Sequence, residues 1–187
     1  MNREKPKCYT SGPIENTKDA YTWRHKMVRE LSNHYDIIVP DQMVCPYQKT
    51  DPEYGAWIKR WYVLPDMAAV ATSKHVFVLI DHCYSSGTYS ELSVAAWLGK
   101  DIVCCLDGVN LLDLPLWIRG CLDGATFVDS VDAGIRHYLE LADAMSAEGI
   151  RISPNTGRPF TYEIPTPDII PCNAILRDPS KSGLENI

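Results

Sequence analysis

No apolar run in this chain of 187 residues reaches the length of a membrane span. The opening residues, Met1 to Lys7, are expected to lead straight into a strand rather than form a signal peptide. No basic stripe accompanies the net charge of −6, which argues against a nucleic-acid polymer as partner and leaves room for a small anionic ligand. The seven cysteines (8, 45, 83, 104, 105, 121 and 172) show no Cys-x-x-Cys pair and no Cys/His spacing of zinc type, so no metal is expected. Their odd, scattered placement points to the reducing cytoplasm rather than a disulfide framework. There are no internal repeats, no low-complexity tracts and no dinucleotide fingerprint; no cofactor is expected. What is present is ordinary: 45% hydrophobic and 22% charged residues, a size that suits one soluble domain with a sizeable core.

The most informative stretch runs from Asp81 to Lys100. Before it, His75 to Ile80 (HVFVLI) is short, β-branched and apolar, the pattern of a strand buried on both faces. Polar residues follow, with Gly87 at a turn, and from Thr88 the period becomes helical. Leu92, Ala95, Ala96 and Gly99 would form one small face against a sheet. Ile102 to Leu106 (IVCCL) reads as a second buried strand. Strand, loop, helix and strand make a right-handed βαβ unit, whose loop lies where open α/β sheets bind ligands. Ser85, Ser86, Gly87 and Thr88 offer hydroxyls and backbone N–H groups at a helix N-terminus, suited to a phosphate or a hydroxyl-rich group. Glu91 follows within about the first turn, where the dipole favours its ionised form. The plainer alternative is that these residues only cap and solvate the helix.

Elsewhere strands and helices alternate. Lys7 to Thr10 is a short strand ending in the turn Ser11-Gly12-Pro13-Ile14. A helix with Asn16 or Thr17 as N-cap runs to about His34, with Ala20, Trp23, Met27, Val28 and Leu31 on one face. Asp36 to Pro40 is the next strand, with Asp41 just beyond it. Glu53 to Ser73 is helical, interrupted by Pro65, which either kinks the helix or opens a new one. Asp66 then suits a first turn. Trp57, Trp61 and Tyr62, at helical spacing, are expected to be core, with stacking on a base as the alternative. Asn110 to Cys121 predicts a short helix, Ala125 to Val128 a fifth strand, and Val131 to Ala147 a last helix. The expected fold is therefore α/β, flavodoxin-like or Rossmann-like: a doubly wound parallel sheet of five strands in the order 2-1-3-4-5. Residues 1–150 form the domain. Residues 151–187, holding six of the 13 prolines, are expected to form an extended arm packed on the domain or on a neighbouring subunit.

Four pieces stand at one edge of this sheet: YTSGPI, VPDQ, Asp66 on its helix, and SSGTYSE. That set, in that order, resembles the nucleoside 2-deoxyribosyltransferase family, including its 2'-deoxynucleoside 5'-monophosphate N-glycosidase relatives. Tyr9, Gly12 and Pro13 match the end of the family's first strand, and Asp66 matches an Asp before its third. Ser85, Gly87, Glu91, Ala95, Gly99 and Lys100 match a pattern like S-x-G-x-x-x-E-x-x-x-A-x-x-x-G-K. The resemblance covers roughly Lys7 to Ala147.

The resemblance implies cleavage or exchange of the N-glycosidic bond of a nucleoside or its 5'-monophosphate. Such chemistry passes through an oxocarbenium-like state, which calls for one carboxylate at the sugar carbon and one acid at the leaving base. Glu91 would be the nucleophile, Tyr9 would hold it, and Asp66 would contact or protonate the base. Gly12, Pro13, Ile14, Asp41, Ser85, Ser86 and Gly87 would bind substrate, joined by Asn173 from the arm, from a neighbouring subunit in a homo-oligomer. Ser85, where an acid is common in relatives acting on free nucleosides, tilts the reading toward monophosphates, and Arg24 would assist if its helix presents that face. Pro65 raises the expectation that Asp66 lies at a helix start, where proton donation is harder. A silent nucleotide sensor on the same fold and an NAD glycohydrolase are the alternatives.

Overall fold

The structure is a computed structural model, and it describes residues 4–14, 20–40, 45–83 and 85–148. Asn16, Thr17, Asp19, Asp41, Asn173 and the expected arm lie outside the described residues. Five strands, β1 (Lys7–Ser11), β2 (Asp36–Ile38), β3 (His75–Ile80), β4 (Asp101–Leu106) and β5 (Thr126–Val128), form one parallel sheet in the order β2-β1-β3-β4-β5. The helices are α1 (Thr22–Leu31), α2 (Tyr54–Ile58), α3 (Leu64–Thr72), α4 (Ser86–Trp97), α5 (Leu116–Cys121) and α6 (Val131–Glu148). None among the described residues is long and apolar enough to cross a membrane.

Strand alternation sorts the core into two layers. Cys8, Phe77, Leu79, Val103 and Cys105 point to the side of α1 and α6, where Met27, Leu31, Ile135 and Tyr138 meet them. Tyr9, Val76, Val78, Ile80 and Cys104 point to the other side, against Val70, Leu92, Ala95 and Ile118 of α3, α4 and α5. All six residues of β3 are buried, as a strand covered on both faces requires. The chain leaves β1 toward β2 and returns to β3 on its other flank. That reversal puts a topological switch point between the C-terminal ends of β1 and β3.

Four local expectations are corrected. The buried stripe of α4 is Thr88, Glu91, Leu92 and Ala95, one turn earlier than expected. Gly99 is exposed and ends the helix instead. Its φ of 62° lets its N–H reach the Ala96 carbonyl while Lys100 N–H reaches Ala95, a Schellman ending. Trp57, Trp61 and Tyr62 are not core: Trp61 is 42% exposed, and no residue from Tyr54 to Val63 is fully buried. The expected helix from Asn110 is broken, because Pro115 holds Leu114 extended (ψ 147°) between a 3₁₀ turn at Leu111–Asp113 and α5. The first helix also stops at Leu31, three residues before His34, and the chain turns into β2.

Pro65 neither ends a helix nor begins a free one. The chain stays helical from α2 to α3, but Lys59–Val63 widens into a π-helical turn immediately before the proline. Pro65 has no N–H to give, and its ring crowds the carbonyl four residues back, so a wider turn is the local solution.

The close approach of α6 to β3 supplies a stability test. A Cβ at Gly134 would come within 2.3 Å of Cε2 of Phe77, a buried ring with no room to move, whereas a Cβ at Gly55 meets nothing within 4 Å. Gly134→Ala is expected to cost about 1–3 kcal/mol in urea unfolding. Gly55→Ala should gain roughly 0.5–1 kcal/mol. Equal stability of the two variants would mean that α6 is free to shift off the sheet.

Candidate active site

The site is built where β1 ends beside β3. Along β1, alternation sends Tyr9 and Ser11 to the same face, under α4, and both are fully buried. From α4, the inward stripe presents Glu91, 7% exposed. The Tyr9 hydroxyl donates to Glu91 Oε1 at 2.9 Å, and the Ser11 hydroxyl donates to Oε2 at 2.5 Å, the short end for a hydroxyl on a carboxylate. Each carboxylate oxygen thus has its own donor from one rigid strand.

Glu91 is the sixth residue of α4, past the reach of the helix terminus. The expected help from the dipole, worth about 0.3–1 kcal/mol and confined to the first turn, loses to burial. Burial pushes the Glu91 carboxyl up from 4.5 to about 7; the hydroxyls of Ser11 and Tyr9 pull down, Asp66 adds to the rise, and Arg24 opposes it. Tyr9 is pushed well above its ordinary value by burial first, then by the charges of Glu91 and Asp66, so it stays a donor.

Asp66, half-buried in the first turn of α3, reaches this group electrostatically: its charge acts on Glu91, Tyr9 and Arg24. The expected free helix start is absent. Val63 and Leu64 are already helical and Leu64 N–H bonds back to Lys59, so no cluster of open amides faces Asp66. Lys100 fixes the helix that carries Asp66, its ammonium donating to the Ala71 carbonyl at 2.5 Å. The Gly-Lys pair of the Glu91 motif is therefore structural.

Arg24 does not present its charge to a ligand. It is fully buried over the Trp23 ring, 4.3 Å from the ring centre, and donates to Thr10 O at 3.5 Å, Gly12 O at 2.8 Å and Ala20 O. It ties the turn after β1 to α1, and burial lowers its pKa. Gly12 allows this turn to close: a Cβ there would lie 3.0 Å from the Trp23 ring and 3.3 Å from Leu79. Pro13 is buried and Ile14 half-buried beside it. Ser85 is the N-cap of α4, its Oγ accepting from Thr88 N–H at 3.3 Å, while Ser86 and Gly87 are exposed. Thr88 Oγ1, by contrast, is buried with no hydrogen-bond partner among the described residues.

Three predicted residues, Tyr9, Asp66 and Glu91, are thus brought together. Ser11 was missed, although strand alternation carries the signal: a residue two after Tyr9 faces the same way. Thr88, expected in the polar loop at the helix N-terminus, belongs instead to the inward stripe it shares with Glu91, three residues on.

No family model matches the chain, and no curated protein does. Among solved structures, a conserved protein from Enterococcus faecalis V583 superposes with a TM-score of 0.56 at 19% identity, over 74% of this chain and 99% of that one. The 2-deoxyribosyltransferase of Bacillus psychrosaccharolyticus superposes with a TM-score of 0.52 at 16% identity, over 73% and 95%. The chain has the fold of that 2-deoxyribosyltransferase. A CMP N-glycosidase of Clostridium botulinum scores 0.46 at 13% identity, over 72% and 98%, too distant to bear on the fold. No group of three or more His, Cys, Asp or Glu among the described residues is placed to hold a metal ion.

The raised pKa of Glu91 makes a stability prediction. Between about 4.5 and 7 the folded chain holds a proton that the unfolded chain has lost, so this group's contribution falls as pH rises through that window. Glu91→Gln removes the buried charge and keeps the volume. Thermal unfolding should find the variant more stable than wild type by roughly 1–3 kcal/mol at pH 8, with the gap closing at pH 5. A gap that is the same at both pH values would mean that Glu91 ionises without a penalty.

Proposed function

We propose that the chain is an enzyme that cleaves or exchanges the N-glycosidic bond of a nucleoside or its 5'-monophosphate. The observation that carries the reading is the buried Glu91 carboxylate, held at each oxygen by a hydroxyl of β1 and coupled to the second carboxylate of Asp66. A silent binder gains nothing from burying a carboxylate whose charge is disfavoured. A nucleophile does, because a desolvated carboxylate is better matched to positive charge developing at a sugar carbon.

In the proposed reaction, an oxygen of Glu91 bonds to C1' as the C1'–N bond breaks. The bonding pair leaves with the base, which takes a proton from Asp66 or is hydrogen-bonded by it. Water or a second base then attacks C1' and gives its proton to the Asp66 carboxylate, while the C1'–O bond breaks and its pair returns to Glu91. Two displacements retain configuration. The half-buried Trp57 and Tyr62, with ring centres 5.5 Å apart and planes tilted by 57° on the helical segment leading to Asp66, offer an aromatic ring face to the base.

A 5'-phosphate is the proposed choice over a bare hydroxyl. It is supported by Ser85 in place of an acid, by the exposed Ser86 and Gly87 at the start of α4, and by the unpartnered Thr88 hydroxyl behind them. Self-association and a cytoplasmic setting belong to the same proposal. Trp97 and Trp117 are 82% and 73% exposed, both near Ser93, an unusual apolar surface for a chain that stays alone. The described cysteines are all free thiols, as a reducing compartment allows.

The test is chromatographic detection of free base from nucleosides, 2'-deoxynucleosides and their 5'-monophosphates, each with and without a second base. Base release is expected from monophosphates and should fall by roughly 10³-fold or more in Glu91→Ala. Asp66→Asn should lose about 10²–10⁴-fold, the span typical of a proton donor. Thr88→Val should raise KM for monophosphates more than for nucleosides. Swapped bases in the product would make it a transferase. Tight binding of one member of the panel without turnover would leave a sensor and end the enzyme reading.

A further inference from the structure

Ser11 is, with Tyr9, a fully buried polar side chain of β1 on the face under α4, and nothing in the packing asks for a hydroxyl there. Its backbone is paired with Val78 of β3, and the same face of β3 is apolar, with Val76, Val78 and Ile80. A hydroxyl buried in such surroundings costs free energy unless it is hydrogen-bonded. Its bond goes to Glu91 Oε2.

We propose that Ser11 is the positioning residue of Glu91, holding the oxygen that Tyr9 leaves open so that the carboxylate reacts from one fixed orientation and departs readily from C1'. The inference rests on the reaction proposed above. With a donor on each oxygen, whichever oxygen bonds C1', the other keeps its hydroxyl while it is the ester carbonyl. When water attacks, the C1'–O bond breaks, its pair returns to a carboxylate that is already hydrogen-bonded, and the water proton passes to the group that had protonated the base. β1 is paired with β2 as far as Tyr9 and with β3 through Ser11, so the donor does not have to be reorganised during the reaction.

Among the described residues, the charged and titratable groups acting on Glu91 are Tyr9 from β1, Arg24 from α1 and Asp66 from α3. Of the groups that favour the ionised carboxylate, the Ser11 hydroxyl acts most strongly, ahead of Tyr9 and Arg24. Removing it therefore moves the ionisation of Glu91 upward, and a role in packing alone would not.

The test is a ¹³C NMR titration of the protein labelled at glutamate side-chain carboxyls, with the Glu91 signal assigned by its loss in Glu91→Gln. It is run on wild type, Ser11→Ala and Ser11→Thr, beside the pH profile of base release. The Glu91 midpoint is expected to rise by about one pH unit in Ser11→Ala and to return in Ser11→Thr, which keeps the hydroxyl. Base release by Ser11→Ala should be about tenfold down near pH 6 and within about threefold of wild type near pH 9. A Ser11→Ala protein whose Glu91 titrates as in wild type would overturn the inference, as would a rate loss of equal size at every pH. The titration needs no turnover, so failure of every substrate would strike the proposed reaction and leave the hold of Ser11 on Glu91 to be judged by NMR.

Discussion

A carboxylate buried between a sheet and a helix is the constraint to which the surrounding structure answers. Glu91 sits on the inward stripe of α4 together with Leu92 and Ala95, and burying those two draws the acid under the helix with them. Left alone there, an ionised carboxylate would be strongly destabilising. Two hydroxyls from β1 and a buried guanidinium offset part of the penalty, Asp66 adds to it, and the balance leaves Glu91 titrating near neutrality. A carboxyl poised in that range is one that an enzyme can use, and one that a chain selected only for stability would replace.

The elements that look decorative in the fold serve this arrangement. Arg24 spends its donors on the carbonyls of Thr10, Gly12 and Ala20, which locks the turn at the end of the strand carrying Tyr9 and Ser11. Lys100 ties the last turn of α3 to the end of α4, so the helices that carry Asp66 and Glu91 are joined. The π-helical turn before Pro65 keeps α2 and α3 on one continuous path and sets Trp57 against Tyr62 upstream of Asp66. Five-residue spacing would not bring those rings together on an α-helix, where they fall well over 90° apart.

Much of this was legible in the residues. Alternating apolar strands and helical periods yield the parallel sheet and its order, because a βαβ crossover has one hand and the β3 run admits no wet face. Glu91 stood out by its place behind a polar loop, whereas Tyr9 and Asp66 stood out through the resemblance that the four pieces carry in their order. The misreading of α4 has a plain physical cause: periodicity says that a helix has an inner face, but not where that face begins. The stripe of α4 was placed a turn late, which took Glu91 for a first-turn acid aided by the dipole. Helical spacing of Trp57 and Trp61 suggests core, yet no residue from Tyr54 to Val63 is buried.

The sequence by itself determined the class of fold, the order of its strands and the edge of the sheet at which the polar pieces would meet. Those follow from patterns whose length is a few residues and whose physics is local: pleat, helical period, caps and turn geometry. The tertiary structure alone decided that Ser11 would take the second oxygen of Glu91, that Arg24 would turn inward to backbone carbonyls rather than outward to a ligand, and that burial would outweigh the helix dipole at Glu91. Each of these depends on groups separated by 12 to 80 positions in the chain, and the strength of an interaction between charges is set by how much water the fold removes from around them.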